Sequence, residues 1–285
     1  MNATERRLRA RAVLEGSACI HPASVHDPLS ARIAEELGFE LGMFAGSTAS
    51  LAILGAPDHI LITLTEFATQ ARRITRAGTL PLVVDADHGY GNALNTQRTV
   101  EELEVAGIAA MSIEDTDLPR PFGQAKPRLI SLEEGVGKMR AAVAARVDAS
   151  LCIFARTGAM NVTGRDDCLA RIQAYNECGT DGIFLTGVTT RAELDVAAEV
   201  AKQPLILGTL SPEIADRHYL ASRGVRIALQ GHAASQAAAQ AIHATLKALR
   251  DGAQPSALKG LPEKGAMARW TREAPYSDAM KRFLD

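Results

Sequence analysis

Short apolar runs alternate with longer stretches of helical periodicity along almost the whole chain. Runs near Ala18 to His21, at 40–45, Pro81 to Val84, 109–113, Leu151 to Phe154, 181–186, Pro204 to Leu207 and 225–229 read as buried strands, because each is a largely apolar segment too short for a helix. Between them, apolar residues spaced three and four apart predict helices over Ser30 to Leu37, Thr65 to Arg76, Asn95 to Ala106, Ser131 to Arg146, Asp166 to Cys178, Arg191 to Ala201, Pro212 to Ser222 and Ala234 to Leu249. A weak repeat marks four helix ends: Glu36-Leu37-Gly38-Phe39, Val105-Ala106-Gly107-Ile108, Glu177-Cys178-Gly179-Thr180 and Ser222-Arg223-Gly224-Val225. Glycine accepts the left-handed conformation that ends many helices, so each reads as helix, cap, strand. Ser131-Leu132-Glu133-Glu134 has the form of a capping box.

Strands alternating with helices specify a parallel sheet, and eight such units close into a (β/α)8 barrel. An open doubly wound sheet is the alternative, but no G-x-G-x-x-G follows the first strand. Two regions leave the pattern. Thr116 to Ile130 is long and carries Pro119, Pro121, Gly123 and Pro127, a composition and length that suit a functional lid or a linker. Residues 251–267 read as a tether, after which Trp270, Tyr276 and Phe283 form an aromatic tail. The expected organisation is a catalytic barrel over 1–250, then a linker and C-terminal helix over 251–285 that either docks on a partner subunit or folds back on its own barrel.

Composition narrows the function. The formal charge of −2 over 285 residues offers no electrostatic footprint for nucleic acid or an anionic membrane, so small molecules and further copies of the chain are the expected partners. Cys19, Cys152, Cys168 and Cys178 lack zinc-site spacing and disulfide density, which suits structural thiols in a reducing cytoplasm. The N-terminus is basic at Arg6, Arg7, Arg9 and Arg11 but has no signal-peptide core, and Glu5 and Glu15 argue against a transit peptide. No apolar run approaches the roughly 20 residues of a membrane span.

Candidate chemistry lies just beyond the strand ends. Leu82-Val83-Val84 runs into Asp85-Ala86-Asp87-His88-Gly89-Tyr90-Gly91-Asn92, an apolar strand delivering two acids to a tight glycine turn at the face where barrels place their active sites. Gly46, Ser47, Glu114, Asp115, Arg156, Gly231 and His232 stand at equivalent places and would share that mouth. Several carboxylates around one point need a cation, and an oxygen-only set suits Mg²⁺ or Mn²⁺. Arg156 implies an anionic substrate. Plainer roles stay open: Asp87 or Asp115 as a helix cap, Ser47 as the cap of a helix beginning near Thr48, Arg156 in a structural ion pair, His232 bonded to backbone, and His88 lining the site without binding metal.

Taken together, Gly46-Ser47, Asp58, the Asp85 to Asn92 run, Ile113-Glu114-Asp115 and Ala155-Arg156-Thr157 resemble the isocitrate lyase and phosphoenolpyruvate mutase superfamily over nearly the whole chain. Thr63 to Phe67, Glu133 to Lys138 and Gly231 to Ala234 place it nearest to the bacterial oxaloacetate decarboxylase branch. The resemblance implies a barrel whose C-terminal helix is swapped within a homotetramer. It also implies Asp85 as direct metal ligand, Asp58, Asp87 and Glu114 acting through water, and Gly46, Ser47 and Arg156 holding the carboxylate of a keto dicarboxylate, with His232 at the substrate. The implied reaction is Mg²⁺-dependent decarboxylation of oxaloacetate or a close β-keto acid to pyruvate through a metal-stabilised enolate, without an organic cofactor.

Three rivals are a carbon–carbon lyase acting on a substituted malate of the 2,3-dimethylmalate or methylisocitrate type, phosphonopyruvate or phosphoenolpyruvate chemistry, and a noncatalytic keto-acid-binding barrel. Lyases of the superfamily carry a cysteine in the loop that here reads Asp115 to Gln124 and has none. Arg120 and Phe122 do not match the phosphoryl-handling residues of the phosphonate enzymes, and survival of both metal and anion groups argues against the noncatalytic barrel. Gly158, and Leu210 after Thr209, depart from the branch's usual residues.

Overall fold

The computed structural model describes all 285 residues and contains eight strands: β1 (Ala23–Ser24), β2 (Gly42–Phe44), β3 (Leu82–Asp85), β4 (Ala110–Glu114), β5 (Cys152–Thr157), β6 (Gly182–Leu185), β7 (Leu205–Leu207) and β8 (Val225–Ala228). They pair in parallel and in chain order. Ile20 closes the ring through a parallel bridge to Ile227, its N–H donating to the Arg226 carbonyl at 2.9 Å and its carbonyl accepting from the Ala228 N–H at 3.0 Å. The fold is the expected (β/α)8 barrel.

The first strand lies later than the apolar run suggests. Ile20 supplies only the bridge to β8, while the ladder to β2 begins at Ala23. Pro22 stands between them; it has no N–H to give and a fixed φ, so the two pairings fall on either side of it.

Side-chain alternation divides the apolar core in two. Met43, Val83, Ala110, Phe154, Phe184, Ile206 and Ile227 fill the barrel, and their neighbours Phe44, Val84, Met111 and Ile153 face the surrounding helices. Gly38, Gly107, Gly179 and Gly224, the repeated helix ends, all adopt left-handed φ of 77–84°, as the repeat predicts. The expected helix from Pro212 to Ser222 is divided into a 3-10 turn, Pro212–Ile214, and a short helix, Arg217–Ser222, capped by Asp216. Ser131 accepts from the Glu134 N–H, but the reciprocal half of the capping box is not made.

A helix that apolar spacing does not predict, Ala3–Glu15, forms the floor of the barrel. Ala10 and Leu14 join the interior cluster. Arg7 donates to Asp148 at 2.7 Å and to the carbonyls of Ile108 and Glu104, and Arg11 meets Asp181 at 2.9 Å. The basic N-terminus is therefore structural. At the other end of the chain, helix Ala266–Thr271 folds back on helix Pro28–Glu36 through Arg269–Glu36 at 3.0 Å and Arg272–Glu35 at 2.9 Å. Helix Glu273–Phe283 follows, with Tyr276, Met280 and Phe283 exposed. All four cysteines are free and buried, and burial pushes Cys19 and Cys168 up to about 11 and Cys152 up to about 12, which makes them poor nucleophiles.

Candidate active site

Three site residues share the inward-facing rows of the barrel. Asp85 follows Val83, Glu114 follows Ala110 and Ser112, and Arg156 follows Cys152 and Phe154, each two residues apart and so on one face. Strand register sets Glu114 directly beside Arg156 and Asp85 beside Ser112. Arg156 pairs with Asp85 through one guanidinium nitrogen, lies 3.7 Å from Glu114 through another, and stacks 5.4 Å from the Phe184 ring centroid.

Asp87 is placed by its backbone. Its φ of +47° is uncommon for a residue with a side chain and persists only when neighbours enforce it. Its N–H donates to Asp85 Oδ1 at 3.1 Å and its carbonyl accepts from the Glu114 N–H at 2.8 Å. The side chain rests on Gly46, where an added Cβ would come 2.6 Å from Oδ1. Gly46 opens helix Gly46–Ala49, so Ser47 sits in its first turn and is not its cap. Asn92 caps the helix after Asp87, so the capping alternative for Asp87 falls away.

The acids crowd one another. Burial, then Asp85, Glu114 and Asp58, raises the Asp87 carboxyl well above its ordinary range. Glu114 is raised by burial and Asp85 against the opposing pull of Arg156, and takes a 2.7 Å hydrogen bond from Thr116. Asp58 lies on the exposed rim, yet crowding by surrounding atoms and then by Asp85 raises it too. Arg156 is held charged because Asp85 and Glu114 outweigh the cost of its burial. His232 bonds Ser24 Oγ through Nδ1 at 2.8 Å, and burial lowers its pKa against the pull of Asp85 and Asp58.

Asp115 does not join the mouth. As Glu114's neighbour on the chain it faces the other way, where Arg171 at 2.9 Å and the Tyr175 hydroxyl at 2.8 Å hold it in a buried structural network. Arg156 is in an ion pair, but its partners are site residues. Sequence reading passed over Ser24, Thr116 and Phe184; only their positions at strand ends could have flagged them. The Thr116 to Ile130 loop is tied at its base by a Thr116–Leu129 bridge and an Asp117–Arg128 ion pair, leaving Phe122 fully exposed at its tip.

Would a divalent cation suit these residues? No three His, Cys, Asp or Glu side chains draw together tightly enough to enclose an ion. The set is open, and Asp87 Oδ2 is a buried acceptor with no partner. An unpaired carboxylate oxygen among mutually repelling acids is a donor set that a hard cation would satisfy. Arg156 Nε is likewise buried and unpaired, which suits an anionic group alongside. A cavity of about 590 Å³ lies at the opposite end near Lys202, Arg223 and Arg226, where Lys202 and Arg223 are already paired with Glu177 and Asp195.

Residues 11–250 match the family model described as phosphoenolpyruvate phosphomutase. The chain belongs to the phosphoenolpyruvate phosphomutase family. A family relative from Bradyrhizobium sp. (strain ORS 278), named oxaloacetate decarboxylase, is 57% identical over 279 residues, covering 98% of this chain and 97% of its own. Among solved family structures, the phosphoenolpyruvate phosphomutase of Streptomyces platensis subsp. rosaceus superposes with a TM-score of 0.88 at 28% identity, over 98% of this chain and 99% of its own. A phosphonopyruvate hydrolase in complex with oxalate and Mg²⁺ gives the same TM-score and identity over 100% of both chains.

Proposed function

We propose that this chain decarboxylates oxaloacetate, or a close β-keto acid, to pyruvate and CO₂ with the help of Mg²⁺ or Mn²⁺. The observation that carries this reading is the inward-facing set of Asp85, Glu114 and Arg156 beside the unpaired Asp87, in a chain more than half identical to a relative of that name. Asp85 would hold the ion directly, and Asp58, Asp87 and Glu114 through water. The ion would supply positive charge where the C2 carbonyl oxygen gathers electrons as the C3–C4 bond breaks.

Arg156 and Ser47, with the Gly46 backbone, bind the C1 carboxylate and fix which bond breaks. CO₂ leaves from C4, the bonding pair passes to the C2 oxygen, and a proton added at C3 completes pyruvate. His232, kept neutral by burial and bonded to Ser24 through Nδ1, has Nε2 free to orient the substrate oxygens or assist that protonation. Phe184 under the Arg156 guanidinium limits its swing. The loop has no cysteine between Asp115 and Gln124, which disfavours carbon–carbon cleavage of a substituted malate.

The test is pyruvate formation from oxaloacetate with Mg²⁺, measured against EDTA and metal-only controls. Protein-dependent turnover that disappears in Arg156→Ala supports the reading. Turnover no faster than the metal-only control removes it. No helix is long and apolar enough to cross a membrane, and the buried thiols suit the cytoplasm. The exposed Tyr276, Met280 and Phe283 favour a homotetramer with exchanged C-terminal helices, checked by light scattering of the full chain against a Tyr276→Glu, Phe283→Glu variant.

A further inference from the structure

The turn that carries Asp87 is held by its carbonyls. Three in succession are tied to three separate elements: Asp87 to the Glu114 N–H at 2.8 Å, His88 to Lys138 Nζ, and Gly89 to Thr99 Oγ1 at 3.0 Å. Lys138 comes from helix Leu132–Ala145, which directly follows the long loop, and it is only 2% exposed.

Burying an ammonium is expensive, and lysine is among the residues least often found fully inside. The carbonyl of His88 is its one hydrogen-bond partner, with Glu114, Asp115, Asp117 and Glu134 supplying favourable charge nearby. A merely structural role would be filled at lower cost by an apolar side chain in the same space. What an apolar residue cannot do is hold the carbonyl that follows a left-handed Asp87.

We propose that Lys138 is a positioning residue, which fixes the His88 carbonyl and so aims the Asp87 carboxylate at the divalent ion. This rests on the reading of the acids as a metal site. Groups that orient metal-binding carboxylates commonly change metal affinity by about 10–100-fold when removed.

The test is Mn²⁺ affinity of the purified full-length protein by electron paramagnetic resonance, alongside its melting temperature, for wild type and Lys138→Met. Lys138→Leu, which likewise removes the donor, is read in the same way if the methionine variant does not fold. Affinity about 10-fold weaker or more, with kcat largely restored at saturating Mn²⁺, supports the inference. A lowered melting temperature with unchanged Mn²⁺ affinity overturns it and leaves Lys138 structural. Wild-type protein that binds no Mn²⁺ overturns the metal reading itself, and this inference with it.

Discussion

Replacing Gly46 by alanine puts a methyl group 2.6 Å from Asp87 Oδ1 and 3.2 Å from its carboxyl carbon. Ordinary contact begins near 3.4 Å, so the carboxylate must move by about 0.8 Å. It cannot take the backbone with it, because the Asp87 N–H and C=O are bonded to Asp85 and Glu114. The side chain therefore rotates, out of the place in which it would face an ion. A misplacement near 1 Å costs about 100-fold in rate, equivalent to about 2.7 kcal/mol of transition-state stabilisation. The folding cost of one extra methyl is expected at about 1–3 kcal/mol, so the variant remains folded. The assay is kcat/KM for oxaloacetate with Mg²⁺, paired with the melting curve. Gly46→Ala retaining kcat/KM within about threefold of wild type would refute the premise that Asp87 is placed for chemistry.

Asp85→Ala should lose metal-dependent turnover while keeping its melting temperature, and activity that persists in that variant after EDTA treatment would count against a metal mechanism. Asp148 gains hydrogen bonds from Ser150, Arg7 and Thr4 that outweigh burial and depress its pKa. Its contribution is thus present above the unfolded value near 4 and fades as pH falls below it. Asp148→Asn should cost about 1–2 kcal/mol in urea unfolding at pH 7 and less at pH 3; an equal cost at both would contradict the linkage. Phe67, fully buried and stacked 4.8 Å from Phe44, should lose about 3–5 kcal/mol as Phe67→Ala, read from the same curves, with a loss below about 1 kcal/mol showing that the site can collapse.

Barrel architecture was legible because burial on both faces makes strands continuous apolar runs and left-handed caps demand glycine. Ala3–Glu15 was not, because two of its four buried residues are arginines, Arg6 and Arg7, and Arg7 is held by an ion pair and carbonyls that lie far off in the chain. Asp85, Glu114 and Arg156 could be gathered from strand ends alone. Separating Glu114 from Asp115 needed the two-residue alternation, which was available in the sequence but gives no sign of which parity faces inward until the register is fixed. Lys138 and Ser24 are set by packing between distant elements, which periodicity does not encode.

The floor helix also fixes an order of events during synthesis. Its arginines leave the ribosome ahead of the barrel strands, yet Asp148 lies 141 residues after Arg7 and Asp181 lies 170 residues after Arg11. A helix made before any strand is therefore among the last elements to be locked. Until five of the eight strands have been translated, a strongly basic segment and an open barrel end travel with the nascent chain, so closure of the floor is a late, long-range step whose loop entropy slows folding.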